Sequence, residues 1–323
     1  MSQHFLLSAS ARSLSLAAIL RMTDEDACTK FREIRWSETN GEPVCPRCGG
    51  CVVWPIPSRR TWQCKACGKQ FSVTSGTIFH SRKLAIRDYL AAIAIFVNAV
   101  KGVSALQLGR DLDVSYRCAW VLAHKLRESM GAQVHHPDQP EMTGEIEVDG
   151  AYFGGSLRQE NRKADRRDRR HIVNRQVVAV IRERGGRTLP FVVQREGDLI
   201  PLVRQHVASG TTVHADESGQ WDRLHASFPA LRVNHSKEFK DMDTGACTNM
   251  AESFFSRLRR AEFGQHHRLS GKFLYQYVNE AAWREDHRRN PNGTNWRLVT
   301  AAALLHPKSD IWRGHWDRSR VRP

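Results

Sequence analysis

Apolar residues recur every three to four positions between 86 and 100, at Ile86, Tyr89, Leu90, Ile93, Phe96, Val97 and Val100, before Lys101 and Gly102 end the run. That spacing predicts a helix with one buried stripe. Shorter stripes of the same period cover 104–112 and 115–130, joined only by Asp113 and Val114. Two short helices with so tight a connection fit a helix-turn-helix whose second helix offers Arg117, His124, Lys125 and Arg127 to a groove, although a plain helical hairpin has the same pattern. Upstream, Leu14, Leu16, Ile19, Leu20, Phe31 and Ile34 predict two helices within 12–37, with Thr23 and Asp24 capping the second.

Beyond residue 143 the period changes. Residues 131–143, with two prolines and little apolar pattern, read as a linker, and GEIEVDGAYFGG (144–155) then alternates apolar and charged positions. Ile146, Val148 and Ala151 suit a half-buried strand that delivers Asp149 to an exposed edge, and the glycines suit a strand end or a close backbone approach. Strands over 177–181 and 188–193, around Gly185 and Gly186, complete a three-stranded meander. A helix at 199–207, a strand from 211 leading to Asp216, a strand at 231–233 and helices at 248–261 and 272–288 follow. The pattern predicts an α/β fold, a mixed sheet with flanking helices, preceded by smaller modules. The expected division is a helical segment at 1–40, a metal-binding module at 41–76, the helix-turn-helix-like region at 81–131, an α/β domain at 142–290 and a basic tail at 291–323 carrying Trp296, Trp312 and Trp316.

Charge adds a partner to this outline. The 323 residues carry 49 Lys and Arg against 34 Asp and Glu, a formal +15. A polyanion, nucleic acid first, is the expected partner. No apolar run approaches the roughly 18–20 residues of a membrane span, so no membrane partner is expected and the protein should be soluble and cytoplasmic, associated with the nucleoid. Of eight cysteines, Cys45, Cys48, Cys64 and Cys67 form two C-x2-C pairs fifteen residues apart. Two such knuckles meet on one tetrahedral Zn²⁺. Short strands around Val52 to Trp54, Thr61 to Gln63 and Phe71 to Val73 would make the module a zinc ribbon presenting Arg59, Arg60, Lys65 and Lys69. Cys51 is a competing thiol three residues after Cys48, but paired knuckle geometry favours Cys48.

Three acids stand on the predicted α/β elements: Asp149 on a strand, Asp216 at a strand end, Glu252 on a helix. Brought together, they repel and are driven toward protonation unless cations neutralise them. Oxygen-only ligation suits Mg²⁺ or Mn²⁺, and two such ions serve phosphodiester chemistry. At 100° per residue Asn249, Glu252, Ser256, Arg259 and Arg260 share one helix face, with Met250, Phe254 and Leu258 opposite. Residues 156–175, with eight Lys or Arg including Arg166, Arg167, Arg169 and Arg170, directly follow the Asp149 strand, where a phosphate backbone needs neutralising.

The cysteine pairs, EVDGAYFGG, VHADES, VNHSKEF, TNMAESFFSRLRR and LSGKFLYQYVNEAAWR together resemble, in order, the zinc-ribbon DDE transposases of bacterial insertion sequences, the ISXO-type group, over about residues 25–290. The resemblance implies an RNase H-like catalytic fold, Mg²⁺ dependence, cleavage of element ends and transfer of the 3′ hydroxyl to target DNA, with no covalent enzyme intermediate. Its partners would be double-stranded DNA, as terminal inverted repeats and target, and further copies of the chain on that DNA. Asp149 and Asp216 take the first two acid positions and Glu252 the third. Asn249 shares the helix face of Glu252, and members of the group can carry Asn there, so either completes the set. Arg259 stands where the family often has Lys, a change that keeps charge and alters phosphate geometry. His235 resembles a family position near the site; capping a strand end is its alternative role. A catalytically silent DNA-binding regulator derived from a transposase is the competing function, and presence of all three acids favours the enzyme. Tyrosine recombination through Tyr152 would leave those acids unexplained.

Overall fold

The computed structural model describes residues 5–153, 176–234, 241–269, 271–309 and 311–312. They form two compact units: one gathers the residues up to 133 with those from 289 onward, the other spans 134–288.

The first unit starts with α1 (Leu16–Leu20) and α2 (Asp24–Arg35). A capping box between Thr23 and Asp26, three acids in the first turn of α2 and Arg32 and Arg35 in its last turn make this helix locally self-consistent. Its buried face, Ala27, Phe31 and Ile34, faces the core, where Phe31 stacks on Phe79 at 6.3 Å. Three antiparallel strands follow: β1 (Val53–Ile56), β2 (Thr61–Cys64) and β3 (Gln70–Phe71). The small sheet is held to the helices by Trp36, edge-on to Trp62 at 5.5 Å, and by the Arg35 guanidinium, which donates to the carbonyls of Ser72, Val73 and Ser75.

Helix α3 (Ile86–Asn98) is apolar on nearly every side, as a central helix must be. Helices α4 (Ala105–Asp111) and α5 (Tyr116–Val134) meet at a turn where Asp113 takes a φ of 52°. A Cβ on Gly109 would lie 3.1 Å from the Val114 carbonyl oxygen and 3.5 Å from Ala119 Cβ, so glycine permits the tight helix approach.

The segment read from sequence as a basic, Trp-containing tail begins with a helix instead, which is α9 of the chain (Asn292–Leu305), and it packs on α3. Trp296 is buried there, its indole N–H donating to the Leu90 carbonyl at 3.1 Å, and Trp312 is 2% exposed. These two rings serve packing within the first unit.

The second unit is a five-stranded sheet, β4 (Glu145–Phe153), β5 (Gln176–Glu183), β6 (Thr188–Val193), β7 (Thr212–Asp216) and β8 (Ala230–Val233), ordered β6-β5-β4-β7-β8. The first three are antiparallel neighbours and β4, β7 and β8 run parallel. An antiparallel meander continued by two parallel crossover strands is the RNase H-like sheet that the resemblance implies. Helix α6 (Ile200–His206) supplies a crossover, and α7 (Asn249–Ala261) and α8 (Leu274–Asp286) flank the sheet, with α7 on β4 and β5 and α8 on β6.

Two expectations for β4 change. It is the central strand, not an exposed edge, and it is covered on both faces rather than half-buried: Ile146, Glu147 and Val148 are all buried. Helix α7 covers the face that carries Glu147 and Asp149, burying Ala251, Phe254, Phe255 and Leu258 against the sheet.

Candidate functional site

Parallel pairing of β4 with β7 runs from Glu145 opposite Thr212 to Val148 opposite Ala215. One step further in the same register, an offset of 67, stand Asp149 and Asp216. Side chains at equal register on adjacent parallel strands point to the same face, with backbones about 4.8 Å apart. Two acids separated by dozens of residues are thereby neighbours.

Backbone groups fix both. The Gly150 N–H donates to Asp149 Oδ1 at 2.7 Å, and the Ser218 N–H donates to Asp216 Oδ1 at 3.1 Å. From β8, Arg232 Nε donates to the Asp216 carbonyl at 2.6 Å and its guanidinium also reaches the Ser218 carbonyl, so the turn after β7 cannot splay.

Asp149 titrates far from an ordinary carboxylate. Burial pushes its pKa up to about 8; the Gly150 hydrogen bond opposes this, and the charges of Asp216, Glu196 and Glu252 add to it. Glu196 is the acid that sequence reasoning missed. It opens a short 3-10 turn after β6, its side chain lies where a Cβ on Gly150 would be, within 2.4 Å of the Glu196 Cγ, and burial with the charge of Asp216 lifts it to about 7. Nothing in the REGD stretch signals this, because only the path of the chain after β6 brings Glu196 to Gly150.

A second missed residue has a readable signal. Glu147 lies two positions before Asp149, on the same strand face, and is 1% exposed. Its Oε2 accepts from the N–H groups of Met250 at 2.7 Å and Ala251 at 3.0 Å, in the first turn of α7. Its Oε1 accepts from Arg184 Nε at 3.0 Å. Arg184 also reaches the Glu145 carboxylate and the carbonyl and sulfur of Cys247, and Glu145 in turn meets His214 Nε2 at 3.1 Å. An acid inside an alternating strand, on the same face as a catalytic candidate, was a visible sign of a buried ionic network.

On α7, Glu252 belongs to the first turn and is half-buried, while Asn249 is the first helical residue and is exposed. Arg259 and Arg260 are exposed in the last turn, and the Arg259 guanidinium lies 5.8 Å from the centre of the Phe153 ring.

In the ribbon, the sulfurs of Cys45, Cys48, Cys64 and Cys67 all lie within 4.8 Å of one another, with Cys45 to Cys67 at 3.6 Å and Cys48 to Cys64 at 3.5 Å. Tetrahedral thiolate ligation at about 2.3 Å gives sulfur separations of about 3.8 Å, so the four fit one Zn²⁺. Two matching knuckles build the cluster: the Cys45 N–H donates to the Gly50 carbonyl and the Cys64 N–H to the Lys69 carbonyl, with Gly49 and Gly68 at positive φ. Cys51 is exposed, turns its thiol to the Gly49 carbonyl at 3.7 Å, and stands outside the cluster.

The helix-turn-helix expectation needs revision at two residues. Arg117 is exposed and Lys125 half-buried, but Arg127 is 1% exposed with its guanidinium 5.4 Å from the centre of the Phe96 ring, and His124 is fully buried beside Trp120 and Trp312. Both lie on the face of α5 that packs inward, so neither is presented to a groove. Arg166, Arg167, Arg169, Arg170, His235 and Trp316 lie outside the described residues.

Comparison with known proteins assigns the same two parts. Residues 22–70 match the transposase zinc-ribbon domain, and residues 141–286 match the ISXO2-like transposase domain. The chain is 24% identical over 300 residues to an uncharacterized protein in transposable element ISH50 of Halobacterium salinarum (strain ATCC 700922 / JCM 11081 / NRC-1), across 88% of this chain and 98% of that one. Solved structures of the Mos1 strand transfer complex and of a pre-cleavage Mos1 transpososome overlap 66% of this chain and 78% of theirs, at 10% and 9% identity and TM-scores of 0.26 and 0.24. The chain belongs to the DDE-type insertion-sequence transposases with an N-terminal zinc ribbon. No described helix is long and apolar enough to cross a membrane.

Proposed function

We propose that the protein binds the ends of an insertion sequence, hydrolyses a phosphodiester bond there and transfers the freed 3′ hydroxyl to target DNA. The observation that carries this is the equal register of Asp149 and Asp216 on adjacent parallel strands, with the charge of Glu252 felt at Asp149. In the first step water attacks phosphorus and the departing 3′ oxygen takes up a proton. In the second, that 3′ hydroxyl attacks a target phosphodiester, the new 3′ O–P bond replaces the target's own, and the target 3′ oxygen leaves protonated. Two divalent ions, Mg²⁺ or Mn²⁺, would activate the nucleophile and stabilise the leaving oxygen when bound. An oxygen-only donor set with one carboxyl held near pH 8 by burial and like charge is chemistry that such cations relieve.

Asp149, Asp216 and Glu252 are the proposed ligands, with Asn249 the competing third; the charge of Glu252 acts on Asp149, and a neutral Asn249 could exert no such influence wherever it lay, so the two are separated by assay. Exposed Arg259, Arg260 and Arg117, with Lys125, would meet the DNA backbone, and Cys45, Cys48, Cys64 and Cys67 would hold a structural Zn²⁺. Pairing two ends would require more than one copy on the DNA. The reaction is tested on a DNA fragment carrying the element's terminal repeats: Mg²⁺ should yield 3′-hydroxyl nicks and joined products, and a protein that binds the fragment but never cuts it is the silent regulator. In parallel assays Glu252→Ala should lose cleavage while Asn249→Ala retains it, and equal activity in both would reject α7 as a metal donor.

Metal uptake should follow proton release. Below about pH 8 a cation has to displace the Asp149 proton, so apparent Mn²⁺ affinity should climb up to about tenfold per pH unit from 6 to 8 and then level off. A pH-independent affinity over that range, measured by electron paramagnetic resonance titration, would contradict a ligand Asp149 with a pKa raised to about 8.

A further inference from the structure

The geometry points to Glu147 as the positioning residue that sets Glu252 against Asp149, by clamping the first turn of α7 to the strand that carries Asp149. The inference rests on the proposed three-acid site and adds to it a residue that touches neither DNA nor metal.

Apolar contact alone leaves the placement of α7 loose. Ala251, Phe254, Phe255 and Leu258 bury one face of the helix on the sheet, and dispersion and hydrophobic burial are non-directional, so a slide along the helix axis costs little until side chains collide. Directional bonds remove that freedom. Glu147 Oε2 takes the N–H groups of two consecutive residues, Met250 and Ala251, and the next residue is Glu252. On the strand, Glu147 is two residues from Asp149 on the same face, about 6.6 Å away along β4. Two helix residues are therefore tied to one strand position, and the acids beyond them on each element are brought into a defined relation.

The clamp is itself held. Arg184 occupies Glu147 Oε1 at 3.0 Å and donates to the Cys247 carbonyl at 3.2 Å, so the same guanidinium secures the strand acid and the chain just before α7. Thr248, at the N-cap position, supplies no side-chain cap, and the carboxylate from β4 takes over that task. A local cap would serve helix stability equally well. A cap delivered from a strand 103 residues earlier ties the helix to the sheet as well.

The test compares Glu147→Ala and Glu147→Gln with Asp149→Asn and with Phe254→Leu, a packing variant of the same helix that leaves the clamp intact. Full-length proteins are assayed for thermal stability, Mn²⁺ affinity by electron paramagnetic resonance, and the kcat and KM of DNA cleavage. Glu147→Ala should weaken Mn²⁺ binding by about 10- to 100-fold and lower kcat by about 100-fold, with the KM for DNA within about twofold. Glu147→Gln keeps the acceptor for the two N–H groups but turns an amide toward Arg184, and should lose at least about fivefold in Mn²⁺ affinity; if Glu147→Ala fails to fold, the affinity of this milder variant decides the question. Phe254→Leu should lose stability with Mn²⁺ affinity retained. Wild-type Mn²⁺ affinity in the folded Glu147 variants, or an equal loss in Phe254→Leu, overturns the positioning role. If those variants bind Mn²⁺ normally while Asp149→Asn does not, only this inference fails; if Asp149→Asn also binds Mn²⁺ normally, the three-acid site itself is wrong.

Discussion

Asp149→Asn leaves DNA binding intact and abolishes Mg²⁺-dependent strand cleavage, a loss of at least about 10³-fold in kcat, or about 4 kcal/mol of transition-state stabilisation. The substitution is nearly isosteric, and the Gly150 N–H still finds an acceptor in the amide oxygen. What disappears is the charge that would hold a cation. The same variant separates function from stability. Folding raises the pKa of Asp149 from 3.8 to about 8, so the folded state holds this proton more tightly than the unfolded chain. By linkage, the metal-free wild type loses stability as pH rises from about 4 through about 8, and Asn removes that loss. At pH 9 without metal, Asp149→Asn should therefore melt higher than wild type while being inactive. Full cleavage by the variant would remove Asp149 from the site, and a lower melting temperature at pH 9 would contradict its raised pKa. Asp216→Asn should be equally inactive.

Loss of zinc gives the second large effect. Cys45→Ser or Cys64→Ser should release the ion, measured by native mass spectrometry, and unfold the ribbon while the five-stranded sheet keeps its circular dichroism signature. The ribbon has three strands of four, four and two residues, too little apolar surface to fold unaided. Binding free energies of about 10–16 kcal/mol in comparable zinc-dependent modules supply the difference. Cys51→Ser should retain zinc, since that thiol faces the Gly49 carbonyl outside the cluster. One zinc per chain retained in both Cys45→Ser and Cys64→Ser would refute the ligand set.

The parts legible in the sequence were those governed by local period. The single strands of the meander, the helix bearing Glu252 and the four-cysteine cluster follow from alternation, helical spacing and knuckle geometry, each of them local in the sequence. Long-range placement was not legible. Glu147 shares the strand face of Asp149, which marks it, but its partners on α7 are hidden until the helix covers it, and Glu196 reads as part of a turn until the path after β6 lays it on Gly150. Arg127 and His124 have groove-reading chemistry and sit in a helix of the right kind, yet the rotation of α5 turns them inward. Trp296 among arginines suggests an aromatic and cationic tail; burial against α3 makes it core. In each case a neighbour distant in sequence decides the environment of the residue.

Helix α9 has a consequence for synthesis. The unit containing the ribbon takes residues from both sides of the 155-residue stretch 134–288. At about 5–20 residues per second, a ribosome needs about 8–30 s to make that stretch, during which the flank of α3 that will receive Trp296 stays uncovered. The first part of the chain to emerge is thus among the last to be finished, and a nascent chain halted before α9 exposes an apolar helix that chaperones and proteases can recognise.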